Sequence, residues 1–108
     1  MGFKFSPAVI DKLKNKHNVT QKEVMECFNN GEAIFFIDDR EEHATDPPTK
    51  WFMAPTNRGR LLKVFFIVEN GDIEIKTAFE PTSPSHLETY IQKAGLPRCW
   101  PNDDEEEE

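Results

Sequence analysis

The spacing of apolar positions changes along this chain. Over "SPAVIDKLKNK", Val9, Ile10 and Leu13 fall on one helical face, behind Ser6 at an N-cap and Pro7 at the first helical position. A second helical period follows, carried by Val24, Cys27 and Phe28. Thr20 and Glu23 form a T-x-x-E capping box ahead of it, and Gly31 is placed to end it. Beyond Gly31 the period shortens. "AIFFID", "WFMAPT", "RLLKVFFIVE" and "DIEIKTAFE" read as strands, and "GFKF" reads as a short opening strand. "NRG" and Asn70-Gly71 supply hairpin turns, the second being the strongest turn signal in the chain. Pro47-Pro48 exclude regular structure at the end of "DREEHATDPPTK". "PTSPSHLETYIQKAG" predicts a closing helix, capped by Ser83 or Ser85 and stopped at Gly95.

This order predicts an α+β fold: an antiparallel β-sheet meander with two N-terminal helices and one C-terminal helix, the helices covering one sheet face. A chain of 108 residues holds one core and not two. We therefore expect a single α+β domain over residues 1–98 and an acidic disordered tail over 99–108. On the last strand, alternation puts Ile73, Ile75, Thr77 and Phe79 on the core face and Glu74, Lys76, Ala78 and Glu80 on the other.

Charge changes the picture in one respect. The net charge is −7, but Asp103–Glu108 contribute −6, which leaves residues 1–102 near −1. The body is thus neither a strongly basic nucleic-acid binder nor an acidic repeller. With 37% hydrophobic and 31% charged residues, the composition is that of a globular domain and not of a disordered chain. No apolar run approaches the roughly 20 residues that span a bilayer, and "MGFKFSPAV" lacks the features of a secretory signal. Cys27 and Cys99 form no CxxC pair, so the expectation is two reduced thiols in a cytoplasmic protein with no membrane partner.

Candidate chemistry is sparse. Arg58, Arg60, Lys63 and Lys76 form a small basic set suited to a phosphate-bearing partner, or simply a solvated sheet face. Lys16-His17 sits in the break between the first two helices. A cation is favoured there by the negative end of the helix dipole, and this accounts for the pair without any function. A histidine is also able to move protons in phosphodiester cleavage. "DDREEHATD" gathers carboxylates around His43, yet EF-hand, HExxH and CxxC spacings are absent, and a solvated acidic loop is the plainer reading. Neither a glycine-rich phosphate loop nor a nucleophile elbow is present, and Cys27 lies on the apolar face of its helix. The sequence assigns no metal and no cofactor.

Lys16-His17-Asn18-Val19-Thr20, Glu23 and Phe28 carry a resemblance to the BrnT family of bacterial toxins, which have a RelE-like fold. That family shows a Phe-rich strand, Lys-His-Gly, Val, Ser or Thr, a Glu three residues on, and a Phe ending the helix. Asn18 stands here for the glycine and tolerates the left-handed backbone. Lys50-Trp51, Gly59-Arg60-Leu61, Thr77-Ala78 and Tyr90 extend the resemblance over roughly residues 3–92, while Phe79 replaces a family arginine expected to bind RNA phosphate. The resemblance implies a ribonuclease of a type II toxin–antitoxin pair, cleaving RNA without metal and bound by a cognate antitoxin protein. It implies a catalytic set of His17, Lys50, Arg60, Lys76 and Glu80 on one surface, with Lys16, Arg58 and Lys63 binding RNA. The Phe79 replacement and modest basic charge point to the alternative, a catalytically silent binding or regulatory module, antitoxin-like or immunity-like, on the same fold. "REEHATDPPTKWF" with "GRLLKVFF" also resembles short bacterial proteins labelled ADP-ribosyl-(dinitrogen reductase) hydrolases. Enzymes of that name are much larger helical proteins with a di-metal site, and a short strand-rich chain does not hold that fold.

Overall fold

The computed structural model describes residues 2–32, 34–38, 47–81 and 84–97. The elements run β1 (Phe3–Lys4), α1 (Pro7–His17), α2 (Gln21–Asn30), β2 (Phe36–Ile37), β3 (Lys50–Pro55), β4 (Leu61–Glu69), β5 (Asp72–Phe79) and α3 (Pro84–Ala94). The strands form one five-stranded sheet in the order β1-β5-β4-β3-β2. Its pairings are antiparallel except for β1, which lies parallel to β5 with Phe3 opposite Ile73. The fold is α+β as the pattern predicts, and the parallel β1 makes the sheet mixed.

The local signals act as expected. Ser6 Oγ accepts the Val9 N–H to start α1. The Thr20 and Glu23 side chains exchange hydrogen bonds with each other's backbone N–H to start α2. The β4–β5 hairpin turns through Asn70 and Gly71, both at positive φ (54° and 81°), as a primed turn requires. The first part of the acidic loop (39–46), Ser83 and the tail (99–108) lie outside the described residues.

Two expectations need correction. The helices do not share one sheet face. Phe28 of α2 packs against Phe52 and Phe66 (centroids 4.7 and 5.3 Å). Tyr90 of α3 packs against Trp51 and Phe36 (5.6 Å each). Trp51 and Phe52 are neighbours on β3 and point to opposite faces, so α2 and α3 flank the sheet. The second correction concerns β5. Phe65 pairs with Thr77 but Phe66 pairs with Ile75, which leaves Lys76 as the extra residue of a bulge. The core positions therefore switch along the strand, from Ile73 and Ile75 to Ala78, which is fully buried opposite Val64. Thr77 and Phe79, expected in the core beside Ile75, lie on the face of Trp51 and Phe65.

α2 lies very close to the sheet. A Cβ on Gly31 would meet the Cys27 carbonyl oxygen at 3.1 Å and Ala54 Cβ at 3.2 Å. Cys27 Sγ lies 3.3 Å from the Ala54 carbonyl oxygen, and burial pushes its thiol up to about 12. It is a core residue and not a nucleophile.

Candidate functional site

The α1–α2 break is built by Asn18. At φ 55° and ψ 45° it occupies the left-handed region and ends α1, with its N–H directed to the Leu13 carbonyl. The next residue, Val19, donates to the same carbonyl at 2.8 Å and buries its side chain. This turn leaves the His17 and Asn18 carbonyls without helical partners.

Arg60, at the foot of β4, reaches across to satisfy them. Its Nη1 donates to the Asn18 carbonyl at 2.8 Å and its Nη2 to the His17 carbonyl at 3.1 Å. Nη1 also meets both carboxylate oxygens of Glu23 at 3.1 Å, and Nε donates to Glu80 at 2.7 Å. All three guanidinium nitrogens are engaged within the protein. The positive charge caps the negative end of the α1 dipole, the role that its own Lys16-His17 pair was expected to fill. The clamp ties the α1–α2 turn to the foot of β4 and the end of β5.

The charges respond accordingly. Burial would raise the Glu23 carboxyl, but the Thr20 N–H and the Arg60 guanidinium outweigh it and hold Glu23 below the ordinary glutamate value. Desolvation opposes the Arg60 charge, yet Glu80 and Glu23 together raise its pKa. Lowering of the His17 pKa comes first from desolvation, then from Lys12 and Lys16. The apolar neighbour of His17 is Phe79, whose ring lies 5.5 Å away and itself stacks on Phe65 at 6.0 Å. The position where the resemblance expects an arginine thus supplies an aromatic ring beside His17.

The eight residues singled out in the sequence divide into separate places. Arg60 and Glu80 pair through their side chains, Arg60 meets His17 through its backbone carbonyl, and Lys16 is exposed on the last turn of α1. Arg58 is exposed at the β3–β4 turn, its N–H held by Thr56 Oγ1 at 3.3 Å. Lys50 sits at the far end of β3, pairing with Phe66 and Ile37, roughly 17 Å of strand from the hairpin at ~3.3 Å per residue. Lys76, in the bulge, is about 13 Å of strand from Glu80. Lys63 lies on the α3 side of the sheet, its ammonium 4.5 Å from the Trp51 ring centre. Lys50 and Lys76 therefore do not join the Arg60 cluster, while Lys63 stands opposite Phe79 with its ammonium over Trp51.

Glu23 is the central residue that the sequence did not single out for this cluster. Its capping-box role is legible, but the same carboxylate's ion pair with Arg60 spans 37 positions and leaves no local signal. Among the described residues, no group of three or more His, Cys, Asp or Glu side chains is placed to hold a metal, and no helix is long and apolar enough to cross a membrane. No protein-family model, curated protein or solved structure matches this chain.

Proposed function

We propose that this chain is a binding or regulatory module and not an RNA-cleaving enzyme. The observation that carries this reading is the state of Arg60. A cation that stabilises a pentacovalent phosphate must direct free N–H groups at the substrate. Arg60 instead directs its nitrogens to two carboxylates and two helix-end carbonyls. His17 packs against Phe79, and the lysines of the expected catalytic set lie elsewhere on the sheet.

The toxin-like ribonuclease remains the second reading, and one observation favours it. The Glu80 side chain is 57% exposed and lies against a guanidinium at 2.7 Å, so one carboxylate able to carry a proton sits beside a cation at the surface. The two readings separate in a single assay. The full chain is incubated with single-stranded RNA in EDTA, and its expression is followed for growth arrest in a bacterial host. The module reading predicts intact RNA and normal growth. EDTA-resistant cleavage that is lost in Glu80→Gln and His17→Gln would overturn it in favour of the ribonuclease.

A further inference from the structure

Two cavities meet at the α1–α2 turn and share Asn18 and Thr20 in their walls. One, of about 330 Å³, is polar and opens between Lys22 at the start of α2 and Arg58 on the hairpin. The other, of about 350 Å³, is floored by Ile10, Leu13 and Val19, with Lys14 at its edge. Each is large enough for one or two side chains, and neither alone would hold a sizeable ligand.

The charges lining the pair are unbalanced. Four cations (Lys14, Lys22, Arg58, Arg60) face two carboxylates (Glu23, Glu26). Arg60 is shared between Glu23 and Glu80, which lies just outside the cavity lining, and Glu26 Oε1 accepts the Asn57 N–H at 2.9 Å. Among the described residues, Lys14, Lys22 and Arg58 are left without an ion-pair partner. The hairpin that carries Arg58 is held firmly. Asn30 Nδ2 donates to the Pro55 carbonyl and to Asn57 Oδ1, each at 3.0 Å, and Thr56 Oγ1 accepts the Arg60 N–H at 3.1 Å. A cation presented on an ordered backbone loses less freedom on binding.

We infer that this corner is a docking surface for a short acidic segment of a partner protein, with carboxylates between Lys22 and Arg58 and one aliphatic or aromatic side chain in the Ile10–Leu13–Val19 cavity. The inference rests on the binding-module reading and names its surface. Charge complementarity selects an acidic occupant. The apolar cavity selects a protein over a nucleic-acid strand, whose phosphates would have nothing to place there.

Fluorescence anisotropy on the full chain tests this. The probes are labelled peptides in which one Leu or Phe is flanked by two to four Glu, with matched controls carrying Gln for Glu or Ser for the apolar residue, and a labelled single-stranded RNA. Binding of the amphipathic acidic peptides over both controls is expected. The exposed-site variants Arg58→Glu and Lys22→Glu should each weaken it roughly tenfold, about 1.4 kcal/mol. Gln21→Trp, at the mouth of the apolar cavity, should weaken the amphipathic peptide and leave any binding of the acid-only control unchanged. Equal binding of peptide and controls, no peptide binding at all, indifference to Arg58→Glu, or tighter RNA binding that depends on Arg58 would each overturn the inference. Absence of peptide binding without RNA cleavage removes this surface alone, whereas EDTA-resistant cleavage removes the module reading itself.

Discussion

Arg60 shows how one side chain changes meaning between sequence and structure. In the sequence it is a hairpin arginine beside other cations, and a phosphate-facing role follows from charge alone. In the structure its side chain is 23% exposed and joins Glu23, Glu80 and the end of α1. Arg60→Met should therefore destabilise the chain by about 2–3 kcal/mol, since it strands partly buried carbonyls and a carboxylate. Arg60→Lys should recover only part of this, because an ammonium does not reproduce the planar fork. Urea denaturation measures both. Acid separates two residues. His17 has a folded pKa below its ordinary 6.5, so its neutral form is the one the fold accommodates. The unfolded chain takes up that proton first, and stability drops as pH falls through 6.5. His17→Gln should flatten the stability profile as pH falls through 6.5. Glu23, depressed in the fold, contributes fully above its ordinary 4.5 and loses that contribution as pH falls through its lower folded value. A second, more acidic decline should therefore persist in His17→Gln and shrink in Arg60→Met, where only the Thr20 N–H and hydroxyl still hold Glu23 low.

At the scale of elements, the legible features were those with local causes. The Ser6 cap, the Thr20–Glu23 box, the Asn70-Gly71 turn and the left-handed Asn18 each act within a few residues, and each stands where the pattern placed it. The bulge at Lys76 was not legible, because it arises from the pairing of β5 with β4 and not from the composition of β5. Nor was the placement of α3 opposite α2, since an amphipathic helix does not record which sheet face it covers. The partition of the expected basic set follows from these two features and from the length of β3. Two substitutions test the element-level account. Asn18→Gly should leave stability within about 0.5 kcal/mol, as glycine takes left-handed angles freely, whereas Asn18→Val should cost ~1–2 kcal/mol. Gly31→Val should cost roughly 1–3 kcal/mol by lifting the end of α2 from β3, because the atoms in its way are a backbone carbonyl and a Cβ that have no room to move. Thermal unfolding followed by circular dichroism reads both.

The whole molecule is a mixed sheet flanked by helices, with a charged corner that Arg60 closes on itself and that offers cations and an apolar cavity alongside. The α+β class read from the pattern of the chain is the one observed, and the proposal of binding over cleavage rests on how Arg60 is engaged. The measurement closest to this claim follows the arginine side chains by ¹H–¹⁵N NMR as single-stranded RNA is added. With its Nε–H held by Glu80 at 2.7 Å, Arg60 should give a signal protected from solvent exchange and unmoved by RNA. An Arg60 signal that exchanges freely and shifts with RNA would contradict the account, since it would mean that the guanidinium is available to phosphate.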